Sequence, residues 1–344
     1  MSDTAPLYTS RQLAELVRPL DRPQQFLVNL FFPNVRLFET RRVDFHVLNM
    51  AREVAKYVHP DSVASPQAER GFKIDSFEPA YLKPLTPLKP SNMLDIRPGE
   101  RVGGEMSPLE RRAERIAQTV LDHEAQVLRR IEQMASTILA TGAITVVSDE
   151  YPTATVNFGR DASQTLALTT SARWGEDGVS PTANIRNWSQ TVATNSGAVV
   201  DTCVMGGAAF ELLVAEESFR DRLDNRRQND GDINLFQSPK GTDAWGSYQG
   251  TVGNVDYFTY SQPYTEGGVA KNMMHEYGVI LGGRHQLHGV VTYGAIEDDE
   301  ALVAAQFWSK MYRVHNPSRV FIEAAAAPLP VPARVNASMY VQVR

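Results

Sequence analysis

Ser107-Pro108-Leu109-Glu110 sets a serine three residues before a glutamate, with proline at the first helical position. That combination caps a helix N-terminus, because the serine oxygen takes one free backbone N–H and the glutamate another. Apolar residues then recur at Leu109, Ala113, Ile116, Val120, Val127, Ile131, Met134 and Ile138, and His123 fills the one missing beat. Steps of three and four keep all of them on one face of a helix. Gly142 provides the stop. The pattern predicts a helix over 108–140, roughly 50 Å long at ~1.5 Å per residue. Globular helices average ~11–12 residues, so few folds accommodate it. The other face carries Arg111, Arg112, Arg115, Gln118 and Asp122. A one-sided spine laid across a sheet is therefore expected, not a helix buried all round.

The stretch before it poses the opposite problem. Residues 76–100 hold Pro79, Pro84, Pro87, Pro90 and Pro98 among Phe77, Tyr81, Leu82, Leu85, Leu88, Met93, Leu94 and Ile96. Proline resists helix and central strand alike, yet the stretch is too apolar for a solvated linker. A stiff, sticky excursion over about 59–105, hinged by the glycines of "GERVGGE", is expected to find its burial on a neighbour. Residues 1–42 also read as an arm. Pro19 and Pro23 break a short helix containing Leu13, Leu16 and Val17, and "FLVNLFF" follows.

Downstream, "ITVV" and "ATVNF" around a "SDEYP" turn read as a hairpin. Ser180-Pro181 opens a helix with Ile185, Trp188 and Val192 on one face and Gly197 at its end. Strands are expected at "VVDTCVM", "VDYFTY", "YGVILG", "GVVTYGAI", "RVFIEAAAA" and "SMYVQV". Residues 159–179 and 228–250 read as loops. Helices and strands mix without βαβ alternation, which favours α+β.

Chemistry is hard to find. A single cysteine, Cys203, excludes an internal disulfide and a thiolate zinc site. The net charge of −6 argues against a general DNA-binding surface. No signal peptide is legible, and no apolar run approaches the ~18 residues of a membrane helix. His275-Glu276 begins an HExxH-like pattern, but Val279 stands where the second histidine belongs. His285 and His288 precede Glu297, Asp298, Asp299 and Glu300; glycines flank the pair and a strand separates it from the carboxylates, so a loop between strands is the expectation. No nucleophile, base and orienter assemble. No catalytic residue, cofactor or metal is expected.

The order of parts resembles the tailed-phage major capsid proteins of the Hong Kong 97 fold. At residue level it is similar to the lambda-type branch, the phage capsid protein E family. The similar stretches are "YTSRQL", "FLVNLFF", "FEPAYLKP", "RRAERIAQTVLDHEAQVLRRIEQM", "VNFGR", "FRDRLDNRR", "TYGAIEDDEA" and "NPSRVFIEAAAAPL". The resemblance implies an N-arm at 1–42, an E-loop region at 43–106 and a P-domain with the spine helix at 107–160. A mainly A-domain segment follows at 161–318, and C-terminal strands at 319–344 return to the P-domain. It implies intersubunit contacts by Phe77, Tyr81, Leu82, Leu85, Leu88, Met93 and Ile96 of the E-loop, and by Phe26, Leu27, Leu30, Phe31 and Phe32 of the N-arm. Ser107, Glu110, Ile116, Val120, Val127, Ile131 and Met134 would form the spine. The function implied is self-assembly into pentamers and hexamers of an icosahedral phage head, in the host cytoplasm and then in the virion. Implied partners are a scaffolding protein, because no charged helical stretch precedes the arm, a portal protein, a small decoration protein, and DNA met without sequence reading. Lys83 and Lys89 read as ordinary surface lysines rather than cross-linking groups. The alternatives are an encapsulin-type nanocompartment shell and, more remotely, a metal-dependent enzyme.

Overall fold

A computed structural model describes residues 25–48, 72–89, 107–148, 151–221, 245–298, 301–316 and 318–344, with positions 13 and 57. The spine helix runs Pro108–Thr141. Its capping box is complete: Glu110 Oε2 accepts from the Ser107 N–H at 2.7 Å, and Ser107 Oγ accepts from the Glu110 N–H at 3.3 Å. Gly142 closes the other end in the left-handed conformation, φ 73°, and its N–H donates to the Ile138 carbonyl at 2.8 Å. A Cβ there would stand 2.5 Å from Arg160 Cβ, so glycine is required twice over. Arg160 donates to the Leu139 and Ile138 carbonyls at 2.7 and 3.2 Å and to Ser338 Oγ at 3.0 Å. Burial pushes its guanidinium down to about 10, so it stays charged at neutral pH, facing the negative end of the helix.

The spine spans two cores. Ile116 and Val120 pack with Leu13, Leu88, Met311, Val320 and Ile322 in a small cluster. Val127, Ile131, Met134 and Ile138 enter the main core. The expected phase is wrong at two positions. Arg112 is 7 % exposed and Leu109 is 65 % exposed. Arg112 stands four residues before Ile116, on the same stripe, and an arginine stem lies along apolar surface as readily as an aliphatic side chain.

Six strands form the main sheet in the order Thr165–Ala167, Ser338–Gln342, Gly278–Gly282, Thr202–Met205, Val255–Tyr260, Gly246–Val252. The last is a strand where a loop was expected, and residues 222–244 before it lie outside the described residues. A three-stranded sheet orders Asn34–Leu37, Gly289–Tyr293 and Pro328–Pro332. Another orders Trp308–His315, Ser318–Ala325 and Leu85–Leu88. The expected hairpin is present as Ala143–Ser148 with Tyr151–Asn157.

Helix Pro181–Ser196 takes part of its N-terminal capping from a distance. Glu216 accepts from Ser180 Oγ at 2.7 Å, from Thr182 N and Oγ1 at 2.9 and 2.7 Å, and from Ser218 Oγ at 3.0 Å. Burial alone would raise its pKa, but these four bonds outweigh it and hold the carboxylate at about 2 against an ordinary 4.5. A depressed carboxylate stabilises the fold above its unfolded pKa, and that contribution disappears as the pH falls from about 4.5 toward 2. Glu216→Gln is expected to lose on the order of 1–2 kcal/mol at pH 7, after allowance for its partial exposure. It should also flatten the acid limb of a Tm-against-pH curve. An unchanged acid limb would show that the carboxylate contributes nothing there.

Candidate functional site

The arm is a two-stranded hairpin. Val43–Leu48 pairs antiparallel with Phe72–Phe77, from Val43↔Phe77 to Leu48↔Phe72, and among the described residues joins no other sheet. Six residues at ~3.4 Å each carry it about 20 Å. Its base is fixed to the body. Val43 is buried and Phe77 packs on the main core. Arg41 pairs with Glu78 and lies 3.3 Å from Glu297. Tyr81 donates its hydroxyl hydrogen to the Ala295 carbonyl at 2.5 Å and accepts from the Glu297 N–H at 2.9 Å. Burial raises the Tyr81 pKa.

The proline-rich segment is not a free excursion. Leu82 and Ala326 exchange backbone hydrogen bonds at 2.8 and 3.1 Å. Leu85–Leu88 then pairs with Val320–Glu323 as an edge strand. Leu88 is buried in the chain's own small core and Leu82 packs on the main one, while Leu85 remains 48 % exposed. The expectation that this stretch finds its burial on a neighbour is thus corrected for Leu82 and Leu88. Pro87 is tolerated because an edge strand leaves one side unpaired. Met93 and Ile96 lie outside the described residues, as do Asp299 and Glu300.

"FLVNLFF" is corrected in the same sense. Phe26, Leu27, Phe31 and Phe32 are buried in the chain's own core and Leu30 packs against it. Phe26 stacks on Tyr260 at 5.2 Å. Helix Phe26–Phe31 has no side-chain cap from Gln25. Glu132, on the spine, supplies it: its carboxylate accepts from the Leu27 and Val28 N–H groups at 2.7 and 3.1 Å and from Tyr260 OH at 2.9 Å. Neither Glu132 nor Arg160 was singled out from sequence. Each is a lone charged residue whose partners lie far along the chain.

Along the spine, two adjoining depressions of about 880 and 710 Å³ share Tyr81, Leu82, Lys83, Arg130 and Gln133. The hairpin Pro263–Glu266/Val269–Asn272 forms one wall, tied to the spine by the Arg130–Glu266 contact of 2.9 Å, while Lys271 pairs with Glu266 within the hairpin at 2.9 Å. The trough is open and of mixed charge. It suits an extended polypeptide better than a small molecule.

His285 and His288 sit in the turn between strands Gly278–Gly282 and Gly289–Tyr293. Beside them Arg284 bonds Asp256, and its N–H donates to Asp201 Oδ1 at 3.0 Å. Asp298 pairs with Lys310. Among the described residues no three His, Cys, Asp or Glu side chains converge as metal ligands, and no helix is long and apolar enough to cross a membrane. Cys203 is buried, and burial pushes its thiol pKa well up.

The spine is one-sided only as far as Arg130; from 131 to 140 no residue is exposed, against the expectation of a helix not buried all round. A paired arm, a long spine across two cores and an open trough make up the subunit. The fold is that of known shells. A prophage capsid protein from E. coli CFT073 matches with a TM-score of 0.76 at 20 % identity, over 99 % of this chain and 100 % of that one. The capsid of Ralstonia phage GP4 matches at 0.54 with 12 % identity, over 99 % and 95 %. The SrpI encapsulin of Synechococcus elongatus PCC 7942 reaches 0.51 at 10 % identity, over 99 % and 92 %. In sequence, the major capsid protein of Escherichia phage lambda is 26 % identical over 345 residues, covering 98 % of this chain and 99 % of that protein. That of Escherichia phage N15 is 25 % identical over 331 residues, covering 94 % and 95 %. Residues 9–343 match the family described as phage major capsid protein E, and the chain belongs to that family. It is a major capsid protein, a structural component of the virion and not an enzyme.

Proposed function

We propose that this subunit forms homo-pentamers and homo-hexamers that close into the icosahedral head of a tailed double-stranded DNA phage. The observation that carries the reading is the hairpin Val43–Leu48/Phe72–Phe77, which among the described residues pairs only with itself while its base is clamped by Arg41, Glu78 and Tyr81. An arm stabilised by two strands alone is marginal, and a neighbour's surface would supply the missing burial. The trough along Arg130 and Gln133 suits such a guest. On this reading the N-arm, E-loop, P-domain and A-domain divisions apply, with the neighbour contact moved from Leu88 to the hairpin and the exposed Leu85. A scaffolding protein, a portal protein and a decoration protein remain the expected partners. The acidic net charge of −6 suits an inner wall that does not hold DNA tightly. The nanocompartment alternative is weaker: it shares the fold at 10 % identity, whereas the sequence relatives are phage proteins.

Leu48 and Phe72 face each other across the hairpin, so a two-residue turn can replace residues 49–71 without breaking the register. The shortened chain is expected to remain folded, with its Tm within a few degrees of the parent, but to give no closed shells by electron microscopy. Normal shells from this variant would show that assembly does not need residues 49–71 and would confine the arm's part in it to the paired strands.

A further inference from the structure

We infer that His123 is a proton-sensitive latch: its neutral imidazole holds strand Leu85–Leu88 on the spine helix, and protonation releases the strand. His123 occupies the apolar stripe and is 1 % exposed. Its Nε2 lies 2.8 Å from Thr86 Oγ1. Its Nδ1 is buried without a hydrogen-bond partner among the described residues. A neutral ring meets these conditions at little cost, with Nε2–H donating to Thr86 and Nδ1 left as a bare acceptor. A second proton would create a buried donor and a buried charge with no described group to receive either.

Among the described residues the surroundings offer no rescue. Thr86 and Leu88 of the strand, Val320, Ile322 and Ala324 of its neighbour, and Ser309 and Met311 of the third strand face inward, and none titrates. Glu323, Lys310 and Arg319 alternate to the outer face, while Arg313 shares the inward parity one step away, opposite Val320. Lys83 and Lys89, at either end of the strand, are exposed. On the helix, Arg112 and Arg115 lie two to three turns earlier, and Glu124 points about 100° away. Asp122 alone favours the charged ring, and burial outweighs it, lowering the pKa from 6.5.

A histidine depressed in the docked state stabilises docking at neutral pH. That stabilisation is lost below about 6.5, by up to tenfold in the opening equilibrium per pH unit. The latch acts on a weak element. The strand has four residues, is paired on one side only and contains Pro87, so it opens locally before the cores do. Residues 78–84 join it directly to the hairpin arm. Slack in the arm is the consequence if the shell reading holds; the latch itself does not depend on that reading.

Hydrogen exchange on the full chain, corrected for intrinsic rates, tests it at pH 7.5 and 5.5. The opening of 85–88 should increase up to about tenfold at pH 5.5, while strand Thr202–Met205 stays unchanged. His123→Gln retains a donor for Thr86 and does not titrate, so it should abolish the difference. Thr86→Val should raise opening at both pH values and keep the acid response. Equal acceleration in both strands, no response in the wild type, or an undiminished response in folded His123→Gln each overturns the latch. If His123→Gln does not fold, the comparison of the two strands in the wild type decides alone.

Discussion

Ile131→Asp is expected to yield no folded subunit. Ile131 is 1 % exposed in the main core, in the C-terminal half of the spine. An aspartate there must either keep its charge without a partner or take up a proton, and it also leaves a cavity. The combined cost is about 5 kcal/mol or more, comparable with the whole stability of a typical domain at ~5–15 kcal/mol. Expression should give inclusion bodies, or soluble protein without a cooperative thermal transition. The control is Gln118→Ala on the exposed face, expected within ~0.5 kcal/mol of wild type; buried Arg112 is unsuitable as a control. Equal stability of the two variants would mean that the helix is turned the wrong way.

Glu132→Ala is the second large effect. Removing the carboxylate strands two backbone donors inside the protein and leaves the Tyr260 hydroxyl only Gln262 Oε1, at 2.8 Å, among its described acceptors. Hydrogen bonds to a charged acceptor contribute ~1.5–3 kcal/mol each and are not additive, so a loss of about 3 kcal/mol is expected in urea unfolding. Glu132→Gln should recover part of it. Tyr260→Phe should cost less alone, and less still in the Glu132→Ala background, because the two share one bond. A loss below ~0.5 kcal/mol in Glu132→Ala would show that water caps the short helix equally well.

The spine was legible because everything that defines it is local: a capping box, a period of three and four, and a terminal glycine. Helix Pro181–Ser196 and hairpin Ala143–Ser148/Tyr151–Asn157 were legible for the same reason. Strand Leu85–Leu88 was not. Pro84 and Pro87 argue against a strand, and only its place at a sheet edge makes them harmless. Nor could "FLVNLFF" reveal whose core it fills, since a short helix apolar everywhere but at Asn29 looks alike inside its own chain and against another. The charged residues that fix the site depend on pairings that composition does not carry. Glu132 reaches back 105 and 104 positions to Leu27 and Val28. Arg160 reaches Ser338, 178 positions on.

The position of Ser338–Gln342 also bears on when the subunit becomes usable. This strand lies between Gly278–Gly282 and Thr165–Ala167. A ribosome releases residues in order, and pairings this distant in sequence form slowly. The main sheet therefore cannot be completed until residues 338–342 have emerged. Arg160 likewise lacks its Ser338 partner until then. A nascent chain thus lacks a finished body to offer a neighbour, however crowded the polysome, and subunits reach competence only once residues 338–342 are free of the ribosome.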